Sequence, residues 1–404
     1  MPIKLKDLSE QRVVVTGASS GIGLETARRF AAEGAHVLLV ARNEDALQAA
    51  VEDIRASGGR AEFFVADVGD EAAVEAAADA AVERLGGLDT WVNDAGTSIY
   101  AELPDTPVED HRRLFDTNYW GVVHGSNAAV RRLKESGGAL ITVGSVLSDM
   151  PSPLLGAYTA SKHAVKGFTD SLRLDLMSDE APISVTLIKP SAINTPFPEH
   201  GKNLMGDAAS LPPPVYEPQT VARAILHAAA RPTREITVGG GGKFQAIAYK
   251  LAPGLSNTLT SKFVPGLLRK PGRSPDPDSN LHSAGDDGRA RGSARFSQPV
   301  SLFTELRTNP GLALGLGLAV GVLVAGVVAA ANREELERQV RRHGPRLVRH
   351  ARDAGRHARH AGRQAALEAE HAFEALQRRL PGHRRSWHEE RLRDARRLIE
   401  RWRP

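Results

Sequence analysis

Residues 12–23 read RVVVTGASSGIG and lead into the Ala-rich helical run at 24–33. Glycines in such a turn let the backbone bend sharply and approach a pyrophosphate. The free N–H groups and the dipole at the following helix N-terminus then favour its negative charge. A lone glycine pattern is weak evidence, but this one stands between an apolar run and a helical run, where the mechanism requires it. We therefore expect a dinucleotide to contact Gly17, Ser19, Ser20, Gly21, Ile22 and Gly23.

Similar short apolar runs recur along the first two thirds of the chain, separated by Ala-rich helical stretches. Most of these runs are continuous rather than alternating, which is typical of strands buried on both faces of a parallel sheet. The alternation of β and α segments predicts a Rossmann-type, doubly wound α/β fold. The predicted strands are 12–16, 36–40, 63–66, 89–93, 139–144, 184–189 and 235–238.

The end of the second predicted strand should meet the adenosine ribose of the cofactor. An acidic residue there would bind the ribose hydroxyls and repel a 2′-phosphate. This chain has Ala41 at that position, and Arg42 follows it. Because a guanidinium forms charge-assisted hydrogen bonds with phosphate, we expect NADP(H) to be favoured over NAD(H). The alternative is that Arg42 is an ordinary surface arginine.

Two further strand ends point toward the same cofactor. Asp67 and Val68 end the third strand, where a carboxylate can hydrogen-bond the adenine. The fourth strand ends in the turn at 93–96, where we assign Asn93, Ala95 and Gly96 to the cofactor because small residues let the backbone approach it.

The fifth predicted strand delivers a candidate catalytic group at its tip. Ser145 follows the strand, Tyr158 comes thirteen residues later, and Lys162 lies four residues beyond the tyrosine on the same helix face. A phenol, with a pKa near 10, is a poor acid or base at neutral pH. A nearby ammonium favours the phenolate, so we expect Lys162 to draw the pKa of Tyr158 toward the working range.

With these motifs in this order, residues 8–240 resemble the short-chain dehydrogenase/reductase superfamily. Residues 16–23 match its Thr-Gly-x-x-x-Gly-x-Gly motif, and Asn118 matches its helix asparagine. The resemblance implies that Tyr158 exchanges a proton with the substrate oxygen, which Ser145 hydrogen-bonds. It implies that Lys162 lowers the tyrosine pKa and holds the nicotinamide ribose, and that Asn118 supports a proton-relay water. The implied activity is hydride transfer between NADP(H) and a lipophilic carbonyl or secondary alcohol.

The chain departs from the family pattern at two positions. Asp94 replaces the second asparagine of the family's Asn-Asn-Ala-Gly motif, and Ser191 replaces the glycine that follows the sixth strand. The remaining cofactor contacts that the resemblance implies are Pro190, Ile193 and Thr195, the last of them on the nicotinamide carboxamide. The family also implies a homo-oligomer.

Composition divides the 404-residue chain into unequal parts. We expect an NADP-binding catalytic domain at 1–265, a disordered linker rich in Pro, Gly, Ser, Asp and Arg at 266–300, and a membrane-inserted helix at 301–332. An Arg/His-rich helical tail follows at 333–404. Within the first part, residues 197–218 are rich in Pro and Gly, which predicts an irregular loop that can form a lid.

The absence of cysteine excludes disulfides, thiolate nucleophiles and Cys-ligated zinc, and we expect no metal site. Residues 311–331 contain no charged or polar side chain and are long enough to cross a bilayer as a helix, although a buried helix of a soluble protein is the alternative. Residues 332–404 contain 20 Arg against 11 acidic residues, and therefore carry about +9 while the rest carries about −5.

A polar N-terminus without a signal sequence predicts a cytoplasmic catalytic domain that is associated with membrane through 311–331. Positively charged segments next to a membrane helix tend to stay in the cytoplasm. A single straight span would put this domain and the basic tail on opposite sides of the membrane, so both cannot be cytoplasmic. Nucleic acid is a minor candidate partner of the tail. The main alternative function is a cofactor-binding scaffold or redox sensor whose basic tail engages a membrane or a partner.

Overall fold

The computed structural model describes residues 3–272, 279–285 and 287–308, all of which fall within one compact unit. Seven parallel strands form its central sheet, and all seven were predicted from the sequence. The eleven strands of the described residues are β1 (Arg12–Thr16), β2 (His36–Ala41), β3 (Arg60–Val65), β4 (Thr90–Asn93), β5 (Ile99–Tyr100), β6 (Gly138–Val143), β7 (Ile183–Pro190), β8 (Lys202–Asn203), β9 (Ala208–Ala209), β10 (Glu235–Val238) and β11 (Arg269–Lys270).

The sheet has the order β10-β7-β6-β4-β1-β2-β3, so its strand order reverses at the boundary between β1 and β4. In open α/β sheets, ligands bind outside the carboxyl ends of the strands at such a switch point. The remaining four short strands form two separate pairs, of which β5 with β8 is parallel and β9 with β11 is antiparallel. The Rossmann-like fold that the sequence predicts is therefore confirmed.

Helices cover both faces of the sheet. They are α1 (Gly21–Ala32), α2 (Glu44–Ala56), α3 (Glu71–Leu85), α4 (Val108–Phe115), α5 (Gly121–Leu133), α6 (Gly156–Ser178), α7 (Phe197–His200), α8 (Pro218–Ala230), α9 (Gly240–Leu251), α10 (Pro253–Leu268) and α11 (Leu302–Thr308). Short 3-10 turns lie at Leu8–Glu10, Leu103–Asp105 and Val146–Ser148, and a π-helical turn lies at Asp116–Trp120.

Two hydrophobic clusters, one on each face of the sheet, explain why the strand sequences are mostly apolar. Val13 and Val15 of β1 pack with residues of α1, α2 and α8, whereas Val14 between them packs with residues of α3 and α5. Successive side chains of a strand point to opposite faces, so a strand covered on both sides favours apolar residues at consecutive positions. Side-chain oxygens of Asn43 and Asp70 cap the starts of α2 and α3 by accepting backbone N–H groups.

The loop predicted at 197–218 contains only the four-residue α7 and the two-residue strands β8 and β9 before α8 begins at Pro218. Beyond it, α10 continues past the boundary predicted at 265 to Leu268, and β11 then pairs with β9.

Part of the linker predicted at 266–300 lies within the described residues. Residues 279–285 and 287–299 lie across the carboxyl edge of the sheet, and α11 packs against α8 and β10. The segment lacks the apolar residues for a core of its own. Its order comes instead from backbone and side-chain hydrogen bonds to the folded domain, which composition does not reveal.

No helix within residues 3–272, 279–285 and 287–308 is long and apolar enough to cross a membrane. The segment at 311–331 that the sequence assigns to the membrane lies outside the described residues, as does the Arg/His-rich tail at 333–404.

Candidate active site and family

A single cavity of about 610 Å³ runs along the carboxyl edge of the sheet and brings most of the predicted site residues together. Its walls include the Gly-rich turn after β1, the ends of β2, β3, β4, β6 and β7, and the first turns of α6. The predicted site residues that line it are Gly17, Ser19, Ser20, Gly21, Ile22, Arg42, Asp67, Val68, Ala95, Gly96, Ser145, Tyr158, Lys162, Pro190, Ile193 and Thr195.

The Gly-rich turn places α1 with its N-terminus toward this cavity. Gly17 adopts a φ of +69°, and a Cβ at this position would lie 2.7 Å from Ala95 Cα, so a side chain is excluded on both grounds. A Cβ on Gly23 would overlap the Gly17 carbonyl. Gly23 therefore closes the turn rather than lining the cavity.

Asn93 and Asn118 also lie outside the cavity lining. The Asn93 side chain accepts from Trp91 Nε1 at 2.7 Å and donates to Ser126 Oγ at 3.0 Å, so it secures the end of β4. Asn118 is fully buried in the π-helical turn, where its amide exchanges two hydrogen bonds with the backbone of Thr97. Both side chains thus hold the backbone that forms the cavity floor.

Arg42 and Asp67 lie at one end of the cavity. One Arg42 nitrogen, Nη2, donates to the carbonyl of Asn280. The other, Nη1, is buried and has no hydrogen-bond partner among the described residues. Burial lowers the pKa of Arg42 from its ordinary value. Although burial opposes ionisation of Asp67, hydrogen bonds from the Gly69 N–H and from Arg113 hold its pKa below the ordinary value.

Ser145, Tyr158 and Lys162 meet at the centre of the cavity. Ser145 begins the 3-10 turn that follows β6 and hydrogen-bonds the buried Tyr158 hydroxyl. Lys162, one turn along α6, lies with its Nζ 5.7 Å from the Tyr158 ring centroid and donates to the Val143 carbonyl at 2.9 Å. The i and i+4 spacing and the position of Ser145 at the tip of β6 therefore produce the cluster that the sequence predicts.

The pKa of the tyrosine differs from the sequence expectation. Burial raises the pKa of Tyr158 to about 12 and the Asp94 carboxylate acts in the same direction, while only the hydrogen bond from Ser145 opposes them. Burial also lowers the pKa of Lys162 to about 8. Loss of solvent therefore outweighs the effect of the neighbouring ammonium, and the phenol keeps its proton at neutral pH.

Asp94, noted in the sequence only as a departure from the family pattern, is a partly buried titratable group of this site. Its carboxylate accepts the backbone N–H of Gly23 and faces Lys162. Burial raises the pKa of Asp94 to about 7, against the favourable charge of Lys162. The carboxyl therefore joins the Gly-rich turn to the cluster of Ser145, Tyr158 and Lys162. The signal that could have revealed it is the replacement itself.

The structure adds residues that sequence reasoning did not assign. Apolar side chains surround the cavity next to Tyr158, namely Tyr100, Leu147, Leu155 and Phe197, and others from α9 and α10 line its outer part, namely Phe244, Leu259, Phe263 and Val264. Asn280, Ala284 and Asp287 form another wall. Neither group carries a short sequence motif, so only the fold reveals them.

Comparisons with known proteins identify the family. The family described as short chain dehydrogenase matches residues 11–203. An uncharacterized oxidoreductase, YxnA, of Bacillus subtilis (strain 168) is 38% identical over 333 residues, which are 81% of this chain and 91% of that protein. The 3beta-hydroxysteroid dehydrogenase 1 of Eggerthella lenta is 37% identical over 194 residues, 47% of this chain and 74% of that protein.

A solved structure supports the same fold. The short chain dehydrogenase/reductase of Burkholderia phymatum in complex with NAD superposes with a TM-score of 0.57 at 24% identity, over 62% of this chain and 96% of that one. Together with the match of residues 11–203 and the similarity to nearly the whole Bacillus oxidoreductase, these findings establish that the chain belongs to the short-chain dehydrogenase/reductase family of oxidoreductases.

Proposed function

We propose that the protein transfers hydride between NADP(H) and a lipophilic carbonyl or secondary alcohol, with Tyr158 as the general acid or base. The observation that carries the proposal is the convergence of Ser145, Tyr158 and Lys162 on a cavity that the Gly-rich turn also lines. Phosphate donors and a proton-transfer cluster in one cavity fit a reaction in which a bound nicotinamide supplies or accepts the hydride.

Proton transfer follows from the arrangement around Tyr158. Because its pKa is about 12, Tyr158 holds its proton at neutral pH and is ready to donate it to a carbonyl oxygen. Ser145 is placed to hydrogen-bond that oxygen, and the positive charge of Lys162 stabilises the phenolate that forms. In the reverse direction, the phenolate accepts the proton of an alcohol.

Arg42 supports the choice of NADP(H) over NAD(H). Its Nη1 is a buried cationic donor without a partner among the described residues, and such a group carries a desolvation cost unless a ligand satisfies it. A 2′-phosphate on the adenosine ribose has the charge and the acceptor oxygens to do so. The donor set therefore fits the group that the sequence favours.

The walls of the cavity support a lipophilic substrate. Side chains next to the Tyr158 hydroxyl and along the outer part are predominantly apolar, including Leu155, Phe197, Phe244 and Phe263. Apolar walls with a few placed polar groups bind a hydrophobic ligand and orient its one polar group. The similarity to a hydroxysteroid dehydrogenase agrees with a substrate of this class.

Association with a membrane remains part of the proposal, together with a cytoplasmic catalytic domain and a homo-oligomer. Besides 311–331, the surface of α9 and α10 supports it. Phe244, Leu251, Leu255 and Phe263 on these helices are between 57% and 81% exposed. Residues 240–272 contain Lys and Arg but no Asp or Glu, a combination that favours an anionic lipid surface.

The full-length chain with Tyr158→Phe tests the proposal. Loss of the phenolic proton should lower turnover of a lipophilic ketone by roughly 10²- to 10⁴-fold and leave NADPH binding, read by nicotinamide fluorescence, unchanged. Tyr119→Phe is the matched control, because Tyr119 packs against Phe115 and Phe168 outside the cavity lining.

Unchanged turnover in Tyr158→Phe contradicts the catalytic assignment. Selective binding of NADPH to the wild type without turnover of any ketone, aldehyde or alcohol would favour the scaffold or sensor. Tighter binding of NADH than of NADPH would overturn the cofactor choice and leave the reaction class intact.

A further inference from the structure

The segment formed by residues 279–285 and 287–299, here called the strap, lies across the cofactor end of the cavity. Along the Gly-rich turn it makes three hydrogen bonds. Ser19 Oγ donates to the Asp287 carboxylate at 2.8 Å, the Gly288 N–H donates to the Ser19 carbonyl at 2.8 Å, and the Gly21 N–H donates to the Arg289 carbonyl at 2.9 Å. The strap thus follows the turn that the sequence assigns to the cofactor phosphates.

The adenosine end of the cavity is in contact with the strap as well. Arg42 donates to the carbonyl of Asn280, and the Asn43 side chain donates to the carbonyl of Gly285 at 2.9 Å. The Arg113 side chain, which also pairs with Asp67, donates to the Leu281 carbonyl at 3.0 Å.

On the opposite side, the strap contacts the segment that follows β7. The Gly292 N–H donates to the Asn194 carbonyl at 3.0 Å. Ser293 donates to the Glu199 carboxylate at 2.8 Å, and Arg289 pairs with the same carboxylate at 3.1 Å. The strap therefore bridges both sides of the cleft, and the cavity lies beneath it.

Buried side chains, as well as hydrogen bonds, hold the strap in one position on the domain. The Leu281 side chain is fully buried in a cluster with Ile99, Leu114 and Ala157. The Asp287 side chain is only 8% exposed and also faces His200, whose Nδ1 lies 3.8 Å from the carboxylate. A buried leucine and a buried carboxylate on one short segment fix its register on the domain.

We propose that the strap is an internal competitor of the cofactor, which must displace it to bind. The inference rests on the proposed function. The Ser19 hydroxyl and the Gly21 N–H are donors that the cofactor phosphates would use, and the strap already supplies both with acceptors. The strap also contacts Arg42 through Nη2 and leaves Nη1 without a partner among the described residues. A hydroxyl or an N–H has one hydrogen, so strap and phosphate exclude each other at Ser19 and Gly21.

Charge adds to this competition. The Asp287 carboxylate lies where an anionic dinucleotide would place negative charge, and like charges at close range in a buried site repel. The Asp287 carboxylate thus occupies the position at the turn where we expect a phosphate, and a phosphate cannot bind there at the same time. Apparent cofactor affinity is then the intrinsic affinity reduced by the fraction of molecules with the strap open. Weakening the strap should tighten cofactor binding.

Titration of the full-length protein with NADPH tests the sign of this effect. Asp287→Ala should lower the dissociation constant by roughly 3- to 10-fold, because it removes a charge-assisted hydrogen bond from the closed state. Ser283→Ala is the matched control, since this side chain is exposed on the same strap and should leave the constant unchanged. Weaker or unaltered NADPH binding by Asp287→Ala overturns the proposal.

Gly292→Ala provides a second variant that leaves the acidic residue in place. A Cβ at this position would overlap the Thr195 carbonyl, so the substitution should lift the strap from the other side of the cleft and also tighten NADPH binding. Thermal denaturation of each variant identifies any general loss of folding.

Limited proteolysis with trypsin measures directly whether the strap opens. Arg289 and Arg291 are 57% and 64% exposed, so opening of the strap should make the bonds after them cleavable. NADPH should accelerate these cleavages, identified by mass spectrometry. Protection by NADPH would mean that the strap clasps the cofactor and would overturn the competition.

The same assay distinguishes a wrong proposal about the strap from a wrong proposed function. If neither NADPH nor NADH binds the wild type or Asp287→Ala, the proposed function fails. Inorganic pyrophosphate at millimolar concentration then takes the place of the cofactor as the anion. Acceleration of cleavage by pyrophosphate still supports the strap, and unchanged cleavage overturns it.

Discussion

The cavity has one end at Tyr158, where we propose the chemistry (the chemical end), and another at the Gly-rich turn, where we propose that the cofactor phosphates bind (the phosphate end). The contacts that stabilise these two ends span very different distances along the chain. Lys162 donates to the Val143 carbonyl, 19 positions away, whereas Ser19 donates to Asp287, 268 positions away. The first contact joins a helix to the strand before it in the same βα unit. The second joins the first turn of the fold to a segment without strand or helix. Contacts of the first kind follow motifs, and those of the second kind do not.

The two ends also differ in their electrostatics. At the chemical end, Lys162 is buried and Asp94 and Tyr158 are partly buried, and loss of solvent is the largest cause of each shifted pKa. At the phosphate end, the side chains of Arg42 and Asp287 are hydrogen-bonded to other segments of the chain. We therefore expect substitutions at the chemical end to change turnover and its pH dependence, and those at the phosphate end to change cofactor affinity.

The largest effect is expected for Lys162→Met. The substitution keeps the side-chain length but removes the charge that stabilises the phenolate of Tyr158, so kcat/KM should fall by roughly 10³-fold. Lys166→Met is the matched control, because Lys166 lies on the same helix and pairs with Asp170 outside the cavity. Equal kcat/KM values for the two variants would contradict the role of Lys162 and remove the distinction between the two ends.

An intermediate effect is expected for Arg42→Ala. Loss of a charge-assisted contact to the 2′-phosphate should raise the dissociation constant of NADPH by roughly 10- to 100-fold. Since the same substitution removes the hydrogen bond to Asn280, NADH binding should be unchanged or tighter. Arg84→Ala, on the surface away from the cavity, serves as the control in the same titration. Parallel losses for NADPH and NADH would contradict the assignment.

The smallest effect on turnover is expected for Asp94→Asn. Since the pKa of Asp94 is about 7, its carboxyl is neutral in acid and ionised at higher pH. The ionised form disfavours the phenolate of Tyr158, so wild-type kcat/KM for carbonyl reduction should fall by a few-fold as pH rises through 7. In the amide variant this inflection should be absent. A profile with the same inflection in both proteins would assign the titration to another group.

Stability provides an independent check of the same carboxyl. Its folded pKa is raised above the ordinary value of 3.8, so the folded state binds the proton more tightly between pH 3.8 and about 7. Its contribution to stability is therefore fully present below the lower value and is lost as pH rises through the upper one. Asp94→Asn should have the higher Tm at pH 8, and the difference should shrink toward pH 4. A constant difference would contradict a buried carboxyl that titrates near 7.

Sequence reasoning succeeded where a residue's role depends on its neighbours along the chain. The apolar runs predict all seven strands of the main sheet because strands covered on both faces favour consecutive apolar residues, as Val13, Val14 and Val15 of β1 show. The turn between β1 and α1 is recognisable because its glycines satisfy a local backbone requirement. It did not reveal that the Asn93 side chain is hydrogen-bonded to Trp91 and Ser126, since the partners of a side chain leave no mark in residue spacing.

What the sequence by itself determined is the parallel α/β sheet, the Gly-rich turn after β1 and the grouping of Ser145, Tyr158 and Lys162, because period, spacing and strand ends fix these locally. Only the tertiary structure decided the protonation of Tyr158 and Asp94 and the placement of the strap. A pKa depends on how much solvent the whole fold removes from a group. A polar segment becomes ordered only when a distant surface supplies partners for its backbone, and neither quantity is encoded within a short stretch of chain.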